Sequence, residues 1–374
     1  MSAKICHMTS VHRYDDPRIF RKECKSLSDM GYEVHLIAPG DFDQKINGVF
    51  LHKIKINSGN RLKRMTVTVR EVYKEALEIN ADLYHFHDPE LITVGLMLRL
   101  KGKIVIYDVH EDVPRQILSK HWIPKSLRLI ISFFFEKIEN FSAKRFSAIV
   151  TATHFINRRF EKLNANSVNV NNYPILNELT NSHSIEEKEN TVAYIGMITK
   201  IRGIKHMVEA IGRTNYRLVV GGKFQSVKEE EEILSMNEIK SVDLLGFLSR
   251  EQVAYTLSKT RAGIIVSHPT LNYIDALPTK MFEYMACGLP VISSDFPILK
   301  EIVEGNECGI CVNPLDTEEI REAINFIMNN LDESEIMGKN GKKAIENKYN
   351  WLIESEKLDQ LYKKILFDKR ESLK

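Results

Sequence analysis

The stretch Ala276-Leu-Pro-Thr-Lys-Met-Phe-Glu-Tyr-Met-Ala-Cys-Gly-Leu-Pro290 reads as a helix set between two strands, Gly263-Ile-Ile-Val-Ser267 before it and Pro290-Val-Ile-Ser-Ser294 after it. Pro278 suits the first turn, where its missing N–H costs nothing. Gly288 marks the end. Thr279 and Lys280 then offer free backbone N–H groups at the positive end of the helix dipole, which favours a phosphate. Glu283 stands one turn further in. Its carboxylate either accepts hydrogen bonds from a ribose diol or is merely solvated on an ordinary β-loop-helix.

Outward from this stretch the strand–helix alternation runs along the chain twice. The first set of strands is Ile5-Cys-His-Met-Thr, Glu33-Val-His-Leu-Ile-Ala38, Val49-Phe-Leu-His-Lys-Ile, Leu83-Tyr-His-Phe-His87, Ile104-Val-Ile-Tyr-Asp-Val109, Ala148-Ile-Val-Thr-Ala152 and Val168-Asn-Val-Asn. The second is Thr191-Val-Ala-Tyr-Ile195, Tyr216-Arg-Leu-Val-Val220, Val242-Asp-Leu-Leu, the two strands above and Gly309-Ile-Cys-Val312. Short β-rich runs separated by helices predict an α/β fold around mostly parallel sheets. Asn171-Asn-Tyr-Pro174 and the polar run Asn177 to Asn190 divide the sets. The expected domains are 1–175 and 185–349, each doubly wound and Rossmann-like, facing across a cleft at the C-terminal edges of their sheets. Residues 350–374, opened by Tyr349-Asn-Trp351, read as a final helix returning to the first domain.

The chain's 374 residues suit two domains. With 43% hydrophobic and 27% charged residues it is an ordinary globular chain. Lys+Arg 52 against Asp+Glu 50 leaves +2, no global field for nucleic acid. Five cysteines, an odd number, fit reduced thiols in a cytoplasmic protein. The first ten residues read as no signal peptide, and no run reaches the ~18–20 apolar residues of a spanning helix. Lys120-His-Trp-Ile-Pro-Lys125, with Leu127, Arg128, Leu129, Ile130 and Phe133 to Phe135, mixes basic and apolar residues. It is either a helix buried in the first domain or a face that lies on an anionic membrane.

Asp275 and Glu283, followed by Ala286-Cys-Gly-Leu-Pro-Val-Ile292, resemble the donor-site signature of the retaining nucleotide-sugar glycosyltransferases of glycosyltransferase family 4. Tyr194-Ile-Gly-Met-Ile-Thr-Lys-Ile-Arg-Gly-Ile204, Leu218-Val-Val-Gly-Gly222, Leu245-Gly-Phe-Leu-Ser249 and Tyr349-Asn-Trp351 extend the likeness through most of the chain. The resemblance implies the two-domain GT-B fold. It implies transfer of a sugar from a nucleoside diphosphate sugar, UDP expected before GDP, to a hydroxyl of a glycan or lipid-linked glycan in surface polysaccharide synthesis. It implies retention at the anomeric carbon, no cofactor and no metal. An epimerase of the same architecture and a non-catalytic nucleotide-sugar-binding partner are the alternatives.

The resemblance also implies residue roles. Glu283 matches the ribose-binding position, and Asp275 the one that faces the transferred sugar, a methylene shorter than the usual Glu. Arg202 fills one position of the diphosphate-binding basic pair. Met197 fills the other and cannot serve, so Lys280 or Lys200 supplies the charge. Gly196, Gly222, Leu277, Pro278 and Thr279 complete the donor side. His110, in Tyr107-Asp-Val-His-Glu-Asp112, matches a His that approaches the transferred sugar. Arg202, Lys280 and the helix terminus would stabilise the leaving diphosphate, a phosphate oxygen would take the acceptor's proton, and domain closure would exclude water.

Other residues carry weaker signals. Asp16 and Arg18 flank Pro17 at the start of a helix and contact the acceptor or diphosphate, unless Asp16 is a cap. His85 and His87 before Asp88 suggest a metal, but no third ligand with good spacing is evident; a core or cleft-lining role is the alternative. Cys308-Gly-Ile-Cys311 has no second cysteine pair for zinc, and Asp316-Thr-Glu-Glu319 reads as a capping box.

Overall fold

The computed structural model describes residues 2–40, 43–55, 64–120, 123–176, 178–179 and 187–372. The chain forms two compact units, Met1–Asn172 with Trp351–Lys374, and Tyr173–Asn350. The division thus falls a few residues ahead of the polar run 177–190.

The first unit holds β1 (Lys4–Met8), β2 (Glu33–Pro39), β3 (Gln44–Ile46), β4 (Val49–Ile54), β5 (Leu83–Phe86), β6 (Ile104–Val109), β7 (Ala148–Thr151) and β8 (Ser167–Asn169). Their order is β3-β4-β2-β1-β5-β6-β7-β8, parallel apart from the short β3–β4 pair. The direction of winding reverses between β1 and β5, the point at which α/β sheets bind ligands. His7 on β1 pairs in register with His85 on β5. Side chains alternate along a strand, so the His-x-His of residues 85–87 brings both rings to the face that carries His7. Helices cover both faces of such a sheet, so its strands are continuous apolar runs. All of β6 is buried, and Phe86 stacks on Tyr107 with ring centroids 4.7 Å apart.

The helix Lys125–Ala143 is turned inside out. Its buried positions are Ser132, Glu139, Ser142 and Ala143. Glu139 is held by the Tyr107 hydroxyl at 2.9 Å and by Arg159 at 2.5 Å. The opposite face presents Leu127, Ile130, Ile131, Phe134, Ile138 and Phe141 to solvent, with Phe134 61% exposed. Phe133 is exposed as well, and only Phe135 packs against the core. Of the two readings of this segment, the one that buries the phenylalanines together in the first domain is not what the structure shows. Arg128 is folded back on the carbonyls of Ile123 and Leu118. Trp122 lies outside the described residues. No described helix is long and apolar enough to cross a membrane.

The helix Trp351–Ser372 belongs to this unit. The Trp351 indole donates to Ser26 Oγ at 2.8 Å, and the Tyr32 hydroxyl to Asp359 at 2.8 Å. Glu354 accepts from the Asn171 N–H at 2.9 Å.

The second unit holds β9 (Glu189–Ile195), β10 (Arg217–Gly221), β11 (Val242–Gly246), β12 (Thr260–Ile265), β13 (Val291–Ser294) and β14 (Gly309–Val312). The sheet is fully parallel in the order β11-β10-β9-β12-β13-β14. Its reversal lies between β9 and β12. One face is covered by Met281, Phe282 and Met285 with Tyr173 and Tyr349, the other by Met207, Ile211, Ile320 and Ile324. Cys308 and Cys311 are free thiols, and burial pushes both up to about 12. Asp316 caps the helix Thr317–Asn329 through the N–H groups of Glu318 and Glu319. The expected capping box does not close, because Glu319 instead accepts from the Asn313 N–H.

Candidate active site

In the second unit the chain leaves β9 through Gly196, whose φ is 139°, a backbone that favours glycine. A Cβ there would lie 2.2 Å from Lys280 Nζ. Gly222, after β10, has φ 150°, and a Cβ on it would lie 1.8 Å from the Gly196 carbonyl oxygen. The two glycines let adjacent strand ends approach closely and leave room for a lysine. That lysine comes from the helix Thr279–Ala286, which starts after Pro278 with no side-chain cap on its first turn.

Lys280 Nζ lies 3.3 Å from the Tyr194 hydroxyl and 4.7 Å from the centre of its ring. Tyr194 itself donates to the Met197 carbonyl at 2.7 Å. Arg202 closes the far side: its Nε donates to the Tyr273 hydroxyl at 3.1 Å, and Nη1 reaches the Met197 carbonyl at 3.4 Å. Thr199 fixes the turn by accepting from the Arg202 N–H at 3.2 Å. Two cations are thus gathered around Gly196 and Met197. Burial first, and then Arg202, pull Lys280 down to about 7, with Glu283 opposing. Met197 is exposed and Lys200 is also at the surface, whereas Lys280 lies inward, beside Gly196.

Glu283 stands one turn along the same helix, partly buried. Its Oε1 accepts from Arg250 Nη1 at 2.7 Å, and Arg250 Nη2 reaches Glu178 at 3.0 Å. Arg250 was not legible as a site residue: it is the first residue of another helix, Arg250–Lys259, 33 positions away. Leu277 packs against the core, and Asp275 ends the turn 271–275, half-buried.

In the first unit the ends of β1, β5 and β6 converge on a buried polar cluster. His110 Nε2 lies 3.0 Å from Asp108 Oδ2 and 3.2 Å from His87 Nδ1. Its side chain is 18% exposed, whereas Asp108 is closed from solvent. Arg18 grips Asp108 with Nε and Nη2 at 3.1–3.3 Å and donates to the Val170 carbonyl at 3.0 Å. Burial raises Asp108, but Arg18, His110 and the hydrogen bonds from His110 and His87 outweigh it and hold the carboxylate well below its usual range. Burial foremost lowers His7, His85 and His87, so these rings are neutral.

Arg18 is only 5% exposed. The expected contact with acceptor or diphosphate gives way to an inward one, because its guanidinium is committed to Asp108, Glu23 and Val170. Asp16 is the helix cap, accepting from the N–H groups of Arg18 and Ile19, both at 2.9 Å, and it binds His12 Nδ1 at 3.0 Å. Burial raises Asp16, and these bonds more than reverse that, to about 2. Arg18 and Glu23 share one helix, but Asp108 lies 90 positions from Arg18, and no local spacing announces their meeting.

The family of "Glycosyltransferase Family 4" matches residues 18–170 and that of "Glycosyl transferases group 1" residues 177–344. The capsular polysaccharide biosynthesis glycosyltransferase CapM of Staphylococcus aureus is 24% identical over 191 residues, covering 49% of this chain and 48% of CapM. Matches of this kind span about half the length of the curated relatives. Among solved structures, the sucrose-phosphate synthase of Thermosynechococcus elongatus aligns with a TM-score of 0.77 at 18% identity, covering 98% of this chain and 100% of that one. Anabaena HepE, solved with UDP and glucose, aligns with a TM-score of 0.73 at 14% identity, covering 97% and 100%. With two units of the expected winding and family matches on both, the chain belongs to the GT-B glycosyltransferases of the family 4 type.

Proposed function

We propose that the protein transfers a sugar from a nucleoside diphosphate sugar, with UDP as the nucleotide, to a hydroxyl of a glycan or lipid-linked glycan, with retention at the anomeric carbon. The observation that carries this reading is the gathering of Lys280 and Arg202 around Gly196, one turn from Glu283. Lys280 and Arg202 neutralise the departing diphosphate together with the N–H groups that follow Pro278. Glu283 accepts from the ribose, Leu277 and Thr279 line the approach, and Gly222 leaves the phosphates room. Asp275 faces hydroxyls of the transferred sugar. His110, fixed by Asp108, orients that sugar, and a diphosphate oxygen takes the acceptor's proton. The transfer draws on no metal and no cofactor, since two side-chain cations and a helix terminus carry the charge.

Two similar proteins support the substrate classes: HepE, solved with UDP and glucose, and CapM, a glycosyltransferase of capsular polysaccharide biosynthesis. Lys280 supplies the charge that Met197 lacks, which favours an enzyme over a binding partner. The apolar outer face of Lys125–Ala143 favours an acceptor held at a membrane, with the protein peripheral on the inner face of the cell membrane. The test is to incubate the protein with UDP-sugars and a lipid-linked acceptor extract and to follow UDP release and the anomeric configuration of the product by NMR. Interconversion of the nucleotide sugar without transfer would identify an epimerase, and no turnover with tight UDP binding a binding partner.

A further inference from the structure

We propose that the first unit binds one divalent cation of the zinc class through His7 Nδ1, His87 Nε2 and Glu23 Oε2, with His85 closing the fourth position. The four residues come from β1, from the end of β5 and from the helix Pro17–Cys24, and all are closed from solvent. One ligand atom from each lies within 4.8 Å of the others.

Glu23 stands too far from the three rings for a direct hydrogen bond and near enough to share a cation with them. Glu23 Oε2 is 3.8 Å from His7 Nδ1, 4.0 Å from His87 Nε2 and 3.9 Å from His85 Nδ1. Each is too long for a hydrogen bond, and Oε2 has no hydrogen-bond partner among the described residues although it is buried. His7 Nδ1 and His87 Nε2 are 2.9 Å apart. Ligands about 2.0–2.1 Å from a tetrahedral zinc stand roughly 3.3–3.4 Å from one another, a value inside the observed span.

The surroundings of the three ligands match those of a metal site, where the outward atom of each ligand is held by a further partner. His87 Nδ1 faces Asp108 Oδ2 at 3.3 Å. His7 Nε2 faces the Tyr362 hydroxyl at 3.2 Å. Glu23 Oε1 is 3.0 Å from Arg18 Nε, an ion-pair contact without hydrogen-bond geometry. With the cation bound, each imidazole would keep its single proton on the outward nitrogen and offer a lone pair inward; without it, His7 Nδ1 and His87 Nε2 share one proton in their hydrogen bond. His85 joins by exchanging its bond to Tyr362, now 2.6 Å at Nδ1, for the cation. Two buried acidic side chains, Glu23 and Asp108, share the single guanidinium of Arg18, and a cation facing Glu23 Oε2 would complete the pairing of charges. The sequence showed no third ligand for His85 and His87 because the others stand at positions 7 and 23. The cation would pin the ends of β1 and β5 beneath Asp108 and His110, apart from the diphosphate chemistry.

The direct test is the metal content of the full-length, untagged chain. After dialysis against Zn²⁺ and removal of the excess, elemental analysis should give about one zinc per chain, and Co²⁺ in its place should give intense visible d–d absorption of a tetrahedral site. Zinc should raise the melting temperature and a strong chelator lower it, since a ligand of the folded state stabilises it. Glu23→Gln and His87→Ala should abolish the stoichiometric zinc. Two other histidine pairs, His35 with His52 at 2.8 Å and His206 with His268 at 3.1 Å, serve as controls; His35→Ala and His206→Ala should keep it. A wild-type chain that holds well under a tenth of a zinc and gives no cobalt band would overturn the proposal and assign Glu23 a proton instead. So would zinc that is lost only with His35 or His206.

Discussion

Arg250 holds Oε1 of Glu283 at 2.7 Å, so the carboxylate proposed to bind a ribose is already aimed by a guanidinium. Charge-assisted hydrogen bonds contribute about 1.5–3 kcal/mol, so Glu283→Ala should weaken UDP binding by roughly ten- to 150-fold. Arg250→Met should weaken it less, because the carboxylate remains and loses only its orientation. Calorimetric titration of UDP, with melting temperatures alongside, decides the matter. Equal affinities in wild type and Glu283→Ala at equal stability would refute the ribose role.

Arg202 and Lys200 are close in sequence but differ in position. Arg202 is half-buried and anchored to Tyr273, whereas Lys200 is exposed. Arg202→Met should lower turnover on the order of 100-fold, the usual cost of a lost preorganised charge partner. Lys200→Met should change it only a few-fold. Steady-state UDP release from the two variants would show whether the order is reversed.

Lys280 gives the donor site a pH dependence with a definite sign. Burial lowers it from 10.5 to about 7. A diphosphate binds the ammonium form, so above about pH 7 binding must take up a proton and the Kd should rise by up to tenfold per pH unit. In the free protein the unfolded chain holds the extra proton between about 7 and 10.5, so this residue's contribution to stability grows with pH across that window. Lys280→Met should flatten both profiles. Titrations in two buffers of different ionisation enthalpy would reveal the uptake; none at pH 8 would contradict the placement.

The helix Lys125–Ala143 should hold the protein on anionic vesicles. Replacing Phe133, Phe134 and Ile138 by Ser should lower co-sedimentation at least about tenfold, since shallow insertion scales with buried apolar area. The melting temperature should hardly move, because those side chains already face water. Nucleotide affinity should be untouched. A wild type that ignores such vesicles at low salt would end the membrane role.

Much of the fold was legible because both sheets are parallel and covered on both faces, so each strand is an apolar run between helices. The strand Gln44–Ile46 was not, being three residues of exposed edge with little apolar signal. In the second unit, Lys280 and Glu283 sit on one short helix that starts after Pro278, and because that spacing is local the sequence could place them. Arg250 reaches Glu283, and Tyr273 reaches Arg202, from elsewhere in the fold. The first unit was harder still. Arg18 reads as a surface cation because a buried guanidinium needs partners that only tertiary structure provides, here Asp108 at 90 positions' distance. The face of Lys125–Ala143 was ambiguous for a related reason: a helix with polar residues inward and apolar ones outward has the periodicity of an ordinary amphipathic helix, and only Tyr107 and Arg159 reveal which side is in.

That inversion also governs how the protein behaves as a colloid. A net charge of +2 offers little long-range repulsion between molecules, and each molecule carries an apolar ridge several turns long. Excluded salts such as sulfate strengthen apolar association and would drive ridge-to-ridge pairing, while mild detergent would compete for the same face. Purification by salting-out therefore selects for self-associated protein, and the apparent oligomeric state will depend on the solvent history of the sample.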